Sequence, residues 1–294
     1  MESPPAASPL LIECHRLNLD EEPPGMQARW LSARERQRAA RFRFEHLREH
    51  YRRSQCGLRQ LLGRRLGIDP GAVQFEIGPK GKPHLAALHR STLHFNLSHS
   101  NGSAWIAMAD VPVGIDLERL ADRAMQDRAA LSARVCSADE QAVLQALPEA
   151  LRTRAFLLAW TRKEALLKAW GVGITGLDSL QSLDTRLPAA TRLLGLLHDA
   201  SLLPTPLGID TMPHLAAETI DHPAMPRSND TGAPAPTRQE HPRLWLRSFC
   251  QGDEIVSLAA TQPFSLAVAA TTDHKRSTSC HTPTSPTRAQ RRHE

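Results

Sequence analysis

Two acidic residues, two positions apart, sit in the short apolar run Val113-Gly114-Ile115-Asp116-Leu117-Glu118. On a β-strand, residues two apart share a face, so both carboxylates project together while Ile115 and Leu117 turn to the core. Paired hard oxygens suit Mg²⁺, which takes one or two protein carboxylates together with phosphate oxygens and water. A solvated strand end carrying two ordinary acids is the alternative. A second group is Trp160-Thr161-Arg162-Lys163-Glu164-Ala165-Leu166-Leu167-Lys168, in which Glu164 and Lys168 are i,i+4 on one helical face. That spacing alone usually means a surface ion pair. Much of the helix is apolar (Phe156, Leu157, Leu158, Trp160, Leu166, Leu167), and an acid and a lysine partly inside it need partners. A metal and a phosphate are suitable ones.

Two weaker segments precede these. Phe95-Asn96-Leu97-Ser98-His99-Ser100-Asn101-Gly102 reads as a strand running into a turn. Its serine, histidine and turn amides can hold a phosphate, or they are turn chemistry with a solvent-facing histidine. In Lys80-Gly81-Lys82-Pro83, glycine admits close backbone approach between two cations, but the segment fits neither the Walker A nor the dinucleotide-binding pattern. A serine-hydrolase reading fails: there is no G-x-S-x-G, and Ser98 and His99 are chain neighbours.

The elements that must position these groups follow from periodicity and punctuation. Apolar spacing predicts helices over 33–46 and 51–66, broken by Gly67-Ile68-Asp69-Pro70-Gly71. Short strands are predicted over 73–77, 93–97, 104–109 and 113–117, each bounded by turn residues. Helices are predicted over 137–147, opening on a Ser137/Glu140 capping box, and over 151–170, ended by Gly171 and Gly173. Residues 204–242 are rich in Pro, Thr, Asp and His and read as an inserted disordered loop; strand texture returns over 244–249 and 264–270. The predicted division is 1–112 (with a loose start over 1–10), 113–270, and a disordered tail over 271–294. A helix followed by strands occurs twice: 51–66 before the strand ending at Ala109, and 151–170 before the strand over 265–269. Two similar α+β halves would look like this.

Composition narrows the setting. The 294 residues are 41% hydrophobic, 23% charged and 4% aromatic, enough to bury a substantial core in one or two domains. No apolar run approaches the ~18 residues of a membrane span. The N-terminus lacks the charged-then-apolar order of a signal peptide, so a cytoplasmic protein is expected. Five scattered cysteines without C-x-x-C support neither a disulfide framework nor a cysteine-based zinc site. The net charge of +5 suits a polyanionic partner, be it nucleic acid, a phosphate-rich cofactor or an acidic protein.

Taken together, G-K-P, F-N-L-S-H-S, V-G-I-D-L-E and W-T-R-K-E-A-L-L-K-A-W-G, in that order and spacing, resemble the 4'-phosphopantetheinyl transferase superfamily in its longer, surfactin-synthetase-activator type. The resemblance covers about residues 36–180, with a continuation over 244–270. It implies an α+β fold of two similar α/β halves related by a pseudo-twofold, with the active site in the cleft between them. It further implies transfer of the phosphopantetheine arm of coenzyme A to a serine of an apo acyl or peptidyl carrier protein, whether of fatty-acid, polyketide or nonribosomal-peptide type. Adenosine 3',5'-bisphosphate would be released. By the same resemblance Asp116, Glu118 and Glu164 bind Mg²⁺ (or Mn²⁺), Glu164 takes the serine proton directly or through water, Lys168 stabilises charge at the diphosphate, and Lys80, Gly81, Lys82, Ser98 and His99 hold the nucleotide. A monomer is expected. The chain departs from the family pattern at His46, Leu47 and Gln55, near cations that hold the coenzyme A 3'-phosphate in relatives; Arg43, Arg48, Arg52 or Arg53 are the candidate substitutes.

Two rival readings remain. An inactive relative that binds carrier proteins as a scaffold would keep the fold and fail at those departures. A basic nucleic-acid-binding module would explain the arginines of 34–65, but one Tyr and seven Phe leave few stacking platforms, and no zinc-finger spacing or RNA-recognition signature appears.

Overall fold

A computed structural model describes residues 10–120, 128–172, 180, 181, 183, 185, 187, 218–220 and 244–269. The strands are β1 (Leu10–Asn18), β2 (Phe75–Ile77), β3 (Pro83–Leu85), β4 (His94–Ser100), β5 (Ser103–Ala109), β6 (Val113–Arg119), β7 (Glu218–Ile220), β8 (Leu244–Gln251), β9 (Glu254–Ala260) and β10 (Phe264–Ala269). The helices are α1 (Ala33–Ala40), α2 (Glu45–Leu66), α3 (Arg128–Val135), α4 (Ala138–Ala146) and α5 (Glu149–Trp170).

The strands form a sheet ordered β10-β1-β5-β4, a second ordered β6-β9-β8-β7, and the small β2-β3 hairpin. The same unit therefore occurs twice. Strand β1, helix α2 and strands β4 and β5 give the order β1-β5-β4; β6, α5, β8 and β9 give β6-β9-β8, and every one of these pairings is antiparallel. Both helices run 22 residues and both end on a left-handed glycine, Gly67 and Gly171. The chain is thus an α+β protein of two similar halves.

The equivalence is not the one read from the sequence. The partner of β5 is β9, which the periodicity left out. Strand β10, placed by the sequence in the second half, pairs in parallel with β1 of the first, Leu10 opposite Phe264. Every position of 254–260 (Glu-Ile-Val-Ser-Leu-Ala-Ala) is buried, so the stretch carries no alternation to betray a strand. The helix predicted over 33–46 ends at Ala40, and α2 begins at Glu45, because Phe42-Arg43-Phe44 turns the chain between them. Strand β7 falls inside 204–242 and edges the second sheet beside β8. The rest of that stretch, Gly173 and the 271–294 tail lie outside the described residues.

Alternation explains the layering. On β5, Trp105, Ala107 and Ala109 face Ile115, Leu117, Val256 and Leu258 between the two sheets. Ile106 and Met108 face Leu58, Leu61 and Leu62 of α2. Odd residues of β6 therefore fill the inter-sheet core, and even ones face α5. The sheets also meet edge to edge, where the Asn96 side chain of β4 accepts the Ile115 amide of β6 at 2.8 Å.

Helix α5 crosses β6 in direct backbone contact at Gly114. A Cβ there would overlap the Ala165 carbonyl oxygen and the Ala169 nitrogen and lie 2.9 Å from the Lys168 carbonyl carbon. Gly114→Ala should therefore cost at least about 2–3 kcal/mol, the upper range of overpacking, because backbone rather than a flexible side chain must move. Urea denaturation of wild type and variant measures this directly. An unshifted midpoint would show that the contact is loose.

Candidate active site

Because even residues of β6 face α5, Asp116 comes to lie under Lys168. The Lys168 ammonium is 2.6 Å from Asp116 Oδ1. The Ser98 hydroxyl of β4 donates to the same oxygen at 2.9 Å and accepts from Lys168 at 3.2 Å. This triangle spans the edge where the two halves meet. One step along, the Ser100 hydroxyl donates to Glu118 Oε2 at 3.3 Å. The edge-to-edge placement of β4 and β6 thus sets a serine beside each of the two carboxylates.

Glu164, one helical turn before Lys168, completes the group. Burial pushes its carboxyl up to about 7; the neighbouring Asp116 charge adds to this and Lys168 opposes it. Two carboxylate oxygens here, Asp116 Oδ2 and Glu164 Oε1, are buried without a hydrogen-bond partner. Such oxygens are costly unless a cation or donor meets them. Among the described residues no three His, Cys, Asp or Glu side chains converge into a ready-made metal cage; Lys168 covers one oxygen of Asp116.

The motif around Glu164 divides by face. Lys163 is fully buried, paired with Glu140 of α4 at 2.8 Å, and it donates to the carbonyls of Leu180 and Leu183. Arg162 donates to Ser248 and to the Thr185 carbonyl, both at 3.0 Å. Thr161 shares a hydrogen bond with Ser257 of β9 at 2.8 Å. These three fasten α5 to its surroundings, while Glu164 and Lys168 face the cleft. Sequence spacing found the pair i,i+4 but not that Lys163 is the lysine buried completely.

The basic hairpin turn divides too. Gly81 adopts φ +88°, which lets the chain reverse between β2 and β3. Lys80 is exposed at the tip, and among the described residues no hydrogen bond or ion pair joins Lys80 or Gly81 to the triangle. Lys82 turns inward and donates to the Lys168 carbonyl at 2.6 Å and the Val113 carbonyl at 2.9 Å. It is a strut from the first half to the end of α5 and the start of β6. His99 is accessible to solvent, yet the surrounding protein, then the charges of Lys168, Arg38 and His50, lower its pKa.

Of the cations proposed from sequence, Arg48 and Arg52 pair with Glu45 and Glu49, and Arg53 donates to the Leu19 carbonyl. Arg43 lies over the Phe44 ring. The open cationic cavity is instead built by α1 and the turn after it. Arg34, Gln37, Arg38, Arg41 and Phe42 line about 620 Å³. Arg34, Arg38 and Arg41 stand at i, i+4 and i+7, a one-face spacing that a charge-periodicity count would have detected.

A family model described as the 4'-phosphopantetheinyl transferase superfamily matches residues 112–204, and one described as the 4'-phosphopantetheinyl transferase N-terminal region matches 25–111. The 4'-phosphopantetheinyl transferase HetI of Nostoc is 39% identical over 190 residues, 62% of this chain and 78% of that protein. The chain belongs to the 4'-phosphopantetheinyl transferase superfamily. Coverage of other relatives is lower. A transferase of Bacillus pumilus, psf-1, is 32% identical over 151 residues (51% of this chain, 62% of that one). One of Bacillus subtilis is 30% identical over 148 (49% and 62%). As a member of this transferase family the chain places its Asp116, Glu164 and Lys168 group where the two halves join, and it uses coenzyme A as co-substrate. Among the described residues no helix is long and apolar enough to cross a membrane.

Burial lowers the Lys82 ammonium to about 8. Between that value and about 10.5 the folded state has released a proton that the unfolded chain still holds, so folding gains as pH rises through this window. The stability gap between wild type and Lys82→Met should accordingly move in favour of wild type from pH 7 to pH 10. Thermal melts at both pH values test it, and a constant gap would mean that Lys82 stays protonated in the folded state across this range.

Proposed function

We propose that this transferase moves the 4'-phosphopantetheine arm of coenzyme A onto a serine of an apo acyl or peptidyl carrier protein, releasing adenosine 3',5'-bisphosphate. The two orphaned carboxylate oxygens beside Lys168 carry this reading. They fit a divalent cation, and Asp116, Glu118 and Glu164 are the residues that would hold it, with Mg²⁺ the natural choice for an all-oxygen site shared with phosphates. When bound, such an ion supplies positive charge against a diphosphate.

The chain's own residues account for the rest. A serine hydroxyl attacks poorly near pH 7 unless a positioned base accepts its proton. Glu164, held near 7 by burial, is that base. The serine oxygen bonds to the phosphorus that bears pantetheine, the bond from that phosphorus to the nucleotide phosphate breaks, and the serine proton passes to Glu164. Negative charge then grows on the departing phosphate, where Lys168 stabilises it without rearranging. Ser98 holds Asp116 and Lys168 in register. Arg38, within electrostatic reach of His99, and the cavity it shares with Arg34 and Arg41 give the nucleotide's phosphates a cationic bed.

Intact-mass spectrometry of an apo carrier incubated with this protein, coenzyme A and Mg²⁺ tests the reading. A gain of one phosphopantetheine is expected, abolished by EDTA and reduced about 10²–10⁴-fold in rate by Glu164→Ala. A gain that survived Glu164→Ala would remove Glu164 as the base. No gain across fatty-acid, polyketide and peptide carriers would favour the scaffold reading.

A further inference from the structure

One guanidinium bridges the two halves at the end of β6. Arg119, the last residue of that strand, places Nε and one terminal nitrogen on the Asp253 carboxylate at 3.0 and 3.1 Å. Its other terminal nitrogen donates to the Asn101 carbonyl at 2.6 Å. Asp253 lies in the β8–β9 turn of the second half, and Asn101 in the β4–β5 turn of the first. The planar fork of an arginine can hold a carboxylate on one edge and a carbonyl on the other. A lysine, a single point charge, cannot.

The β4–β5 turn has two central residues, Asn101 and Gly102, both left-handed at φ 35° and 75°. A two-residue turn of this kind fixes the register of its strands, so whatever holds the turn also sets the residue before it. The first half grips it through the Leu19 amide, which donates to the Gly102 carbonyl at 2.7 Å, and through the Asp20 carboxylate packed against Gly102. Arg119 grips it from the second half. The residue before the turn is Ser100, whose hydroxyl donates to Glu118 Oε2 at 3.3 Å. Glu118 and Arg119 are chain neighbours, as are Ser100 and Asn101, so the two strand ends meet at adjacent points. Those points close a small ring that contains Glu118. Its position needs such a closure, because the ladder between β6 and β9 stops one residue later, at Arg119 opposite Glu254.

We propose that Arg119 is a positioning residue for the site: by pinning the β4–β5 turn to the β8–β9 turn, it holds Ser100 on Glu118 and fixes the aim of that carboxylate at a divalent cation. The inference rests on the transferase reading above, which names Glu118 as a cation ligand, and it adds the bridge that orients it. Removing a group that orients a ligating carboxylate costs about 10–100-fold in metal affinity. A neighbouring bridge supplies the comparison. Arg16 of β1 places Nε and a terminal nitrogen on Glu254 of β9 at 3.0 and 2.6 Å, where the Trp105 indole also donates at 2.9 Å. The side chains of Arg16 and Arg119 are alike in exposure, 25% and 28%. Both join the halves, but Arg16 makes no hydrogen bond to Asn101 or Glu118 among the described residues.

Mn²⁺ titrated into the protein, with and without coenzyme A and with no carrier present, tests this without turnover; the spin-resonance signal of free Mn²⁺ reports the bound fraction. Arg119→Met should raise the Mn²⁺ Kd about tenfold, and Ser100→Ala should act in the same direction. The double variant should be no weaker than the worse single one, because the arginine acts through the serine. Arg16→Met should lower the melting temperature and leave the Mn²⁺ Kd unchanged. An unaltered Kd in Arg119→Met, additive losses in the double variant, or full recovery in Arg119→Lys would each overturn the proposal. So would an equal loss in Arg16→Met, which would reduce the bridge to general cohesion of the halves. The titration also separates this inference from the reaction. Arg119-dependent Mn²⁺ binding by a protein that modifies no carrier would uphold the positioning and sink the transfer. A wild type that binds no Mn²⁺ in either condition would sink the positioning, whatever carriers it modifies.

Discussion

Backbone contact between α5 and β6 at Gly114 is the constraint on which the site depends. A helix normally keeps its distance from a strand because side chains intervene, and interaxial spacings reflect their size. Here the glycine removes that spacer, so α5 rests on the strand itself. Asp116, two residues on and on the same face, is brought within 2.6 Å of Lys168. Glu164 lies one turn away, near enough for the Asp116 charge to raise it. Had α5 been held off by one side chain, the carboxylates would face water and the lysine would have no fixed partner.

Everything else around α5 serves to keep it there. Lys163, Arg162 and Thr161 spend their polar groups on α4, β8, β9 and the carbonyls of Leu180, Leu183 and Thr185, so the helix face away from the cleft is fixed by directional bonds. Losing one partner of a buried pair such as Lys163–Glu140 typically costs about 3–5 kcal/mol. Lys82 reaches across from the first half to the carbonyl of Lys168 itself. A reacting group is useful only when its rotamer is locked by its neighbours, and these contacts provide that locking without touching the cleft.

The first half contributes in a different way. Its strand β4 presents Asn96, Ser98 and Ser100 on the edge that faces β6, and each finds a partner there. Along this edge β4 and β6 thus meet through side chains rather than through a backbone ladder. On the first half's outer side, the α1 arginines and the first turn of α2 remain charged and uncovered. Exposed cations of this kind suit the anionic co-substrate and the protein substrate proposed above.

Much of this was legible in the residues. The period-two spacing of Asp116 and Glu118 and the i,i+4 spacing of Glu164 and Lys168 are local properties of a strand and a helix, so they survive without knowledge of the fold. The Ser137 and Glu140 capping box is likewise local and forms as written. What spacing cannot supply is a partner distant in the chain. That Glu140 also neutralises Lys163, that Lys82 is a strut, and that β10 returns to β1 depend on contacts between segments far apart in sequence. Strand β9 lacked alternation because both of its faces are buried, and the α1 arginines gained meaning only when the following turn joined them in lining one open cavity. Local periodicity follows from backbone geometry and is written into the chain; which charge meets which is settled only when burial makes an unpaired one too costly to keep.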